Sequence, residues 1–172
     1  MTDNSKIRGI IENQDVKGLL ALDNGEKEDF LFALIYDCLT EKSLAEMNET
    51  QKTLFLASKL EDVCQADSLP SLSEDEEIFL ALPDIKISLE RLGAVKTAGL
   101  LEEFMSLVPA GTVPEWEWFF EAERKDIIAQ IDSGICNYPD GTMINLYVAY
   151  ISDPQNAEQL LADLNNGKGN EG

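Results

Sequence analysis

Apolar positions along this chain recur at three- and four-residue intervals, and polar breaks divide them into short stretches of helical period. Ile7, Ile10 and Ile11 mark a first helix, for which Asp3 or Asn4 is the expected cap. Val16, Leu19, Leu20 and Leu22 mark a second, capped by Asn13 and stopped by Asp23-Asn24-Gly25. From Glu26 to Thr40 the pattern predicts a third, apolar at Phe30, Leu31, Leu34, Ile35, Cys38 and Leu39. Phe32, Ala33 and Tyr36 fill its other side, so burial nearly all round is expected.

Asn48 with Gln51 is a capping-box spacing that opens a helix through Leu56, Leu60, Val63 and Cys64. After the turn residues Leu69 to Ser73, Ser73 with Glu76 is a second such spacing. The helix it opens ends near Pro83, which suits the first position of the next, and Gly93 is the expected stop of that one. Ala94, Ala98, Leu101, Met105 and Val108 run beside Leu100, Phe104 and Leu107, a wide core-facing surface closed by Pro109-Ala110-Gly111. A long helix is expected after Pro114, through Trp116, Phe119, Phe120, Ile127, Ile128 and Ile131, broken by Ser133-Gly134.

Asn137 to Gly141 is turn chemistry. Met143 to Ile151 fits a helix or a buried strand by pattern alone; with no second strand candidate nearby it is assigned as helix. Asp153-Pro154 starts a last helix through Leu160, Leu161 and Leu164, and Asn165 to Gly172 is an expected disordered tail. The expectation is an all-α fold, residues 1–164 forming a single compact domain of about eight to ten short helices.

Charge changes this picture more than composition does. The chain has 172 residues with 33 acids against 13 bases, a formal net charge of -20, while 44% hydrophobic content is ample for a core. The acids are also unevenly opposed. Between Lys59 and Lys86 stand Glu61, Asp62, Asp67, Glu74, Asp75, Glu76, Glu77 and Asp84 with no Lys or Arg, and Thr97 to Glu123 holds Glu102, Glu103, Glu115, Glu117, Glu121 and Glu123 likewise. Helix-start preference accounts for the run at Glu74 to Glu76, since the macrodipole favours carboxylates in a first turn, but not for the missing bases around it. Direct nucleic-acid binding, which needs clustered cations, is disfavoured; a basic protein is the better partner.

The absence of histidine removes Ser-His-Asp and Cys-His catalysis, and no P-loop, dinucleotide fingerprint or nucleophile elbow occurs. Glu117 and Glu121 could serve as an acid-base or Mg2+ pair, yet the pocket neighbours that would perturb them are not identifiable, and a solvated helix face is the favoured reading. Trp116 is assigned to core packing and Trp118 to an interface. Cys38, Cys64 and Cys136 lie far apart, odd in number and without C-x-x-C spacing, and read as buried free thiols in a reducing compartment. With no apolar run long enough for a bilayer and no secretory leader pattern after Met1, a cytoplasmic protein is expected. Neither catalytic, cofactor nor metal residues are assigned.

The segments LEDVCQADSL (Leu60 to Leu69), LERLGAVKTAGLLEEF (Leu89 to Phe104) and VPEWEWFFEAERKD (Val113 to Asp126), together with small size, acidity and helical pattern, resemble a family of small, acidic, all-helical bacterial DNA-mimic proteins. Gln65-Ala66-Asp67-Ser68 stands where broader relatives of that domain carry an Asn-Gly-Gly-Phe step. The resemblance implies a homodimer whose acidic surface imitates duplex DNA, occupies the DNA-reading surface of a helix-turn-helix repressor and relieves repression. The phosphate-mimicking carboxylates are then expected among Glu61, Asp62, Asp67, Glu74, Asp75, Glu76, Glu77, Glu115, Glu117, Glu121 and Glu123, within the base-free intervals. Inhibition of a basic nuclease would use the same charge, and a carboxylate metal-dependent hydrolase is the remaining alternative.

Overall fold

A computed structural model describes residues 4–164; the Asp3 cap and the expected tail lie outside the described residues. Helices α1 (Asn4–Asn13), α2 (Val16–Leu20), α3 (Asn24–Ala33), α4 (Glu49–Ala66), α5 (Glu76–Leu80), α6 (Leu82–Arg91), α7 (Val95–Leu107), α8 (Lys125–Cys136), α9 (Met143–Ile151) and α10 (Pro154–Leu161) follow in order, with short 3-10 segments between some of them. The fold is all-α: among the described residues no strand forms, only an isolated bridge between Pro139 and Gly141. Contacts group the chain into two compact units, one of residues 4–52 and 144–164, the other of residues 53–143.

In the first unit, α1 contacts α2 and α3, and α2 contacts α10. Ile7, Ile10, Leu19, Phe30, Leu31, Leu34, Leu160 and Leu161 are buried there. The box at Asn48 forms as spaced: the Gln51 N–H donates to Asn48 Oδ1 at 3.0 Å and the Asn48 N–H to Gln51 Oε1 at 3.2 Å. The buried Gln51 amide then donates to the carbonyls of Leu160 and Ala162 at 3.1 and 2.9 Å, which satisfies the end of α10. Asp153 caps α10 through the N–H groups of Gln155 and Asn156.

Three local expectations in this unit are corrected. The cap of α2 is Asp15, whose carboxylate accepts from the Gly18 N–H at 2.9 Å; Asn13 instead ends α1 by donating to the Gly9 carbonyl, and Gln14 turns the chain at φ 51°. Asp23, read as part of a stop, opens α3 in a reciprocal box with Glu26. The helix to Thr40 is not buried all round. Its backbone widens into a π turn at Leu34–Cys38, and Phe32 is 66% exposed, its ring 4.8 Å from that of the exposed Tyr36 and tilted 43° to it.

The second unit packs α7 against both α6 and α8. Gly134 permits the second contact: a Cβ there would meet Leu100 Cδ1 at 3.0 Å, so the glycine read as a helix breaker is a close-approach residue inside α8. Gly93 does end α6, at φ 81°; its N–H reaches the Glu90 carbonyl and the Ala94 N–H the Leu89 carbonyl, a Schellman closure. The N-terminus of α7 has no cap of its own. It takes Asp140 from the turn after α8, whose carboxylate accepts from the N–H groups of Lys96 and Thr97 at 3.0 and 2.8 Å and from the Thr97 hydroxyl at 2.8 Å.

Burial works against the charge on Asp140, but the two backbone donors and the hydroxyl outweigh it and hold the carboxyl below its ordinary range. The folded state therefore binds this proton less readily than the unfolded chain does. The resulting stability is present above the ordinary carboxylate pKa and is lost as pH falls through the lowered folded value. Asp140→Ala is expected to cost about 2 kcal/mol near neutral pH, the upper end for a cap, with the difference from wild type shrinking in acid. Urea unfolding of both proteins at neutral and acidic pH checks this; an unchanged gap would assign the loss to something other than the charged cap.

Candidate functional site

The chain after Pro114 does not form one long helix. Trp116–Phe120 is a 3-10 segment, Glu121 is extended, and α8 begins only at Lys125. Four aromatic residues within five positions are weak helix formers, and Glu117 and Glu121 would repel one turn apart, so neither propensity nor charge favours continuation. Tertiary contact decides the outcome. Phe119 is buried and stacks on Phe104 of α7 at 6.3 Å with an interplanar angle of 10°, while Phe79 of α5 meets Phe119 edge-on at 6.1 Å and Phe104 at 6.4 Å.

The aromatic triad brings the two base-free intervals together. The 3-10 segment Leu69–Glu74 packs against Trp116–Phe120, and α5 follows it directly, so Glu74 to Glu77 and Glu115 to Glu123 adjoin within the second unit although some forty residues separate them in the sequence. Both stretches keep their carboxylates outward. Asp67, Glu74, Asp75, Glu76, Glu77, Glu115, Glu117, Glu121 and Glu123 are all exposed, whereas Glu61 and Asp62 on α4 are half-buried.

The candidates differ in what else they do. Ser73 does not open α5: its hydroxyl donates to the Pro70 carbonyl, and Asp75, two residues on, accepts from the Ile78 N–H at 3.1 Å as the true cap. Asp67 accepts from the Ser71 hydroxyl at 2.6 Å, and Glu61 from the Tyr138 hydroxyl at 3.0 Å. Burial and the Glu61 carboxylate push the Tyr138 phenol up to about 12, so it stays a donor across the physiological range. Glu121 pairs with Arg124, whose guanidinium lies 4.0 Å above the ring of Trp118. Glu74, Glu76, Glu77, Glu115, Glu117 and Glu123 have no ion pair among the described residues, and they form the part of the surface that faces water alone.

Trp116 is not in the core as expected. Trp116 is 42% exposed and lies 5.0 Å from the exposed Phe120, whereas Trp118 is the half-buried ring under Arg124. Ile127, counted in the buried stripe, is 46% exposed, as the break at Glu121 resets the helix phase.

All three cysteines are free thiols, as read from the sequence, but only Cys64 is buried, Cys38 and Cys136 being half-buried. Cys64 on α4 and Cys136 on α8 are adjacent in space: the Cys136 thiol donates to the Cys64 carbonyl at 2.8 Å. Asp132, one turn before Cys136, accepts from the Leu69 N–H at 2.7 Å. Burial raises both thiols, and the neighbouring Asp132 carboxylate raises them further. Burial likewise raises Asp132, only partly offset by the Leu69 N–H and the Cys64 thiol. The Asp132–Cys136 spacing is visible in the sequence as i,i+4, but its meeting with Cys64 depends on the packing of α4 and was not legible.

A shallow cleft lies beside this cluster, lined by Leu60, Glu61, Cys64, Gln65, Ile135 and Tyr138 among others. No helix among the described residues is long and apolar enough to cross a membrane. No protein-family model, curated protein or solved structure matches the chain.

Proposed function

We propose that this protein is a non-enzymatic DNA mimic. It binds the cationic DNA-reading surface of a helix-turn-helix transcription factor and keeps that factor from its operator; on this reading it works as a homodimer in the bacterial cytoplasm. The observation that carries the reading is the junction of two base-free segments whose carboxylates at Glu74, Glu76, Glu77, Glu115, Glu117 and Glu123 are exposed and lack cationic partners among the described residues.

Such a surface has an electrostatic cost that a purely structural role would not require. Interleaved lysines would relieve the self-repulsion, as Lys86 does elsewhere for Glu90 and Glu102. Anchoring the segment on a stacked aromatic core gives the charges a fixed geometry, which favours orientation and fast encounter with a basic partner.

The test is capture from a lysate of the source cell at low salt, elution with a salt gradient and identification by mass spectrometry, followed by an operator gel shift. The expected result is a helix-turn-helix regulator that releases its operator when this protein is added. Recovery of a basic nuclease would move the reading to an inhibitor of that enzyme. Affinity for the regulator that does not change between low and high salt would sink the mimic reading.

A further inference from the structure

A different cluster, independent of the acidic surface, carries a binding chemistry. Among the described residues, Cys64, Asp132 and Cys136 are the one set of three ligating side chains whose donor atoms all lie within 4.8 Å of one another. Two come from successive turns of α8 and the third from α4, so the set exists only when those helices are in place. We propose that Cys64 Sγ, Cys136 Sγ and a carboxylate oxygen of Asp132 form a site for a thiophilic divalent cation of the zinc class, with a fourth position left to water from the adjoining cleft.

The geometry is close to what such an ion asks. Bonds of about 2.0–2.3 Å in a tetrahedral arrangement put ligand atoms about 3.5–3.8 Å apart, so a cluster whose atoms lie within 4.8 Å needs to contract by about 1.3 Å at most. The carboxylate is already oriented by a second partner. One oxygen, Oδ1, holds the Leu69 N–H at 2.7 Å, the kind of outer contact that fixes a metal ligand. Of the three ligands, Cys64 also lines the adjoining cleft, together with Glu61, Gln65 and Tyr138.

The donor set selects the class of ion. Two thiolates favour a soft or borderline cation and disfavour Mg2+ and Ca2+, which take oxygen donors. Without a cation the thiols stay protonated, because burial and the Asp132 carboxylate oppose their ionisation. On binding, the two thiol protons pass to solvent and the divalent cation takes the place of their two charges, so the net charge of the site is unchanged.

Cobalt is the suitable probe, since a chain this acidic will bind any divalent ion loosely and only sulfur ligation gives a thiolate-to-cobalt charge-transfer band. The fully reduced chain is titrated with Co2+ in excess Mg2+, which occupies surface carboxylates. We expect a near-ultraviolet band with tetrahedral visible bands, saturating at one cobalt per chain and bleached by Zn2+. Cys64→Ser and Cys136→Ser should each abolish the site's spectrum and Cys38→Ser should leave it. Asp132→Asn should keep a sulfur band but weaken binding on the order of tenfold to a hundredfold. On the unmodified chain, Zn2+ should slow alkylation of Cys136 but not of Cys38, read by peptide mass. Absence of the band in the reduced wild-type chain, its survival in the Cys64→Ser/Cys136→Ser double variant, or its loss in Cys38→Ser would overturn the proposal. So would isolation of Cys64 and Cys136 as a disulfide that persists while Zn2+ and a mild reductant are both present.

Discussion

Replacing Phe104 by alanine is expected to remove about 4 kcal/mol of folding stability, the middle of the range for truncating a buried phenylalanine. Phe104 is fully buried, stacked on Phe119 and edge-on to Phe79, so its loss opens a cavity at the centre of the aromatic triad. The ring pairs add roughly 0.5–1.5 kcal/mol each beyond area burial, and two of them end with this one side chain. Urea unfolding gives the magnitude. Its location can be read too, because both tryptophans of the chain sit in the segment Phe119 anchors. Tryptophan emission should therefore change at lower urea than far-ultraviolet ellipticity in the variant, as the segment leaves before the helices melt. Phe120→Ala, which truncates a ring that is 49% exposed, is the control and should fall within about 1 kcal/mol of wild type. If Phe104→Ala costs no more than the control, the segment is held by something other than the triad.

That segment is also where sequence reading and structure part. Caps that depend on residues within one turn were legible: Asn48 with Gln51, Asp153 and the Schellman closure at Gly93 form where local chemistry puts them. Ser73 and Asp75 were both able to cap α5, and local rules could not rank them; the 3-10 turn at Leu69–Glu74 occupies the Ser73 hydroxyl and leaves Asp75 for the role. Periodicity reported that Trp116, Phe119, Phe120 and Ile127 share a helical spacing, but it carries no information on whether one helix continues across Glu121. Only Phe119 of these is buried. The same blindness explains Phe32 and Tyr36, whose apolar character was read as burial although both are exposed and meet each other at a tilt.

The acidic candidates were legible as composition and not as surface. Base-free runs at Glu61–Asp84 and Glu102–Glu123 are plain in the chain, yet their convergence rests on the contact of Phe79 with Phe119, which no pattern within either run encodes. Nor does charge alone separate Glu61, tied to Tyr138, or Glu121, tied to Arg124, from Glu76 or Glu117. The cysteine cluster fails for the same reason: Cys64 and Cys136 are 72 residues apart and meet through helix packing.

On the DNA-mimic reading, neutralising the solvent-facing carboxylates should weaken the partner complex far more than neutralising acids elsewhere. A surface ion pair at about 4 Å contributes about 1 kcal/mol in water, so Glu74→Gln, Glu76→Gln and Glu77→Gln together are expected to cost about 3 kcal/mol, roughly a hundredfold in affinity at low salt. Glu115→Gln, Glu117→Gln and Glu123→Gln should cost a similar amount. Because the two sets adjoin, the combined variant should fall short of the product of the two losses. The control changes net charge equally at exposed positions of the other unit, Glu28→Gln, Glu41→Gln and Glu158→Gln, and should cost less than about tenfold. Every gap should narrow as salt rises, since exposed charges are screened over about 8 Å at physiological ionic strength. Calorimetric titration of each variant against the captured regulator at two salt concentrations measures all of this. Equal weakening in the control would mean that the partner responds to net charge and not to a shaped surface, and the proposed mimicry of DNA would then have no structural basis in this face of the molecule.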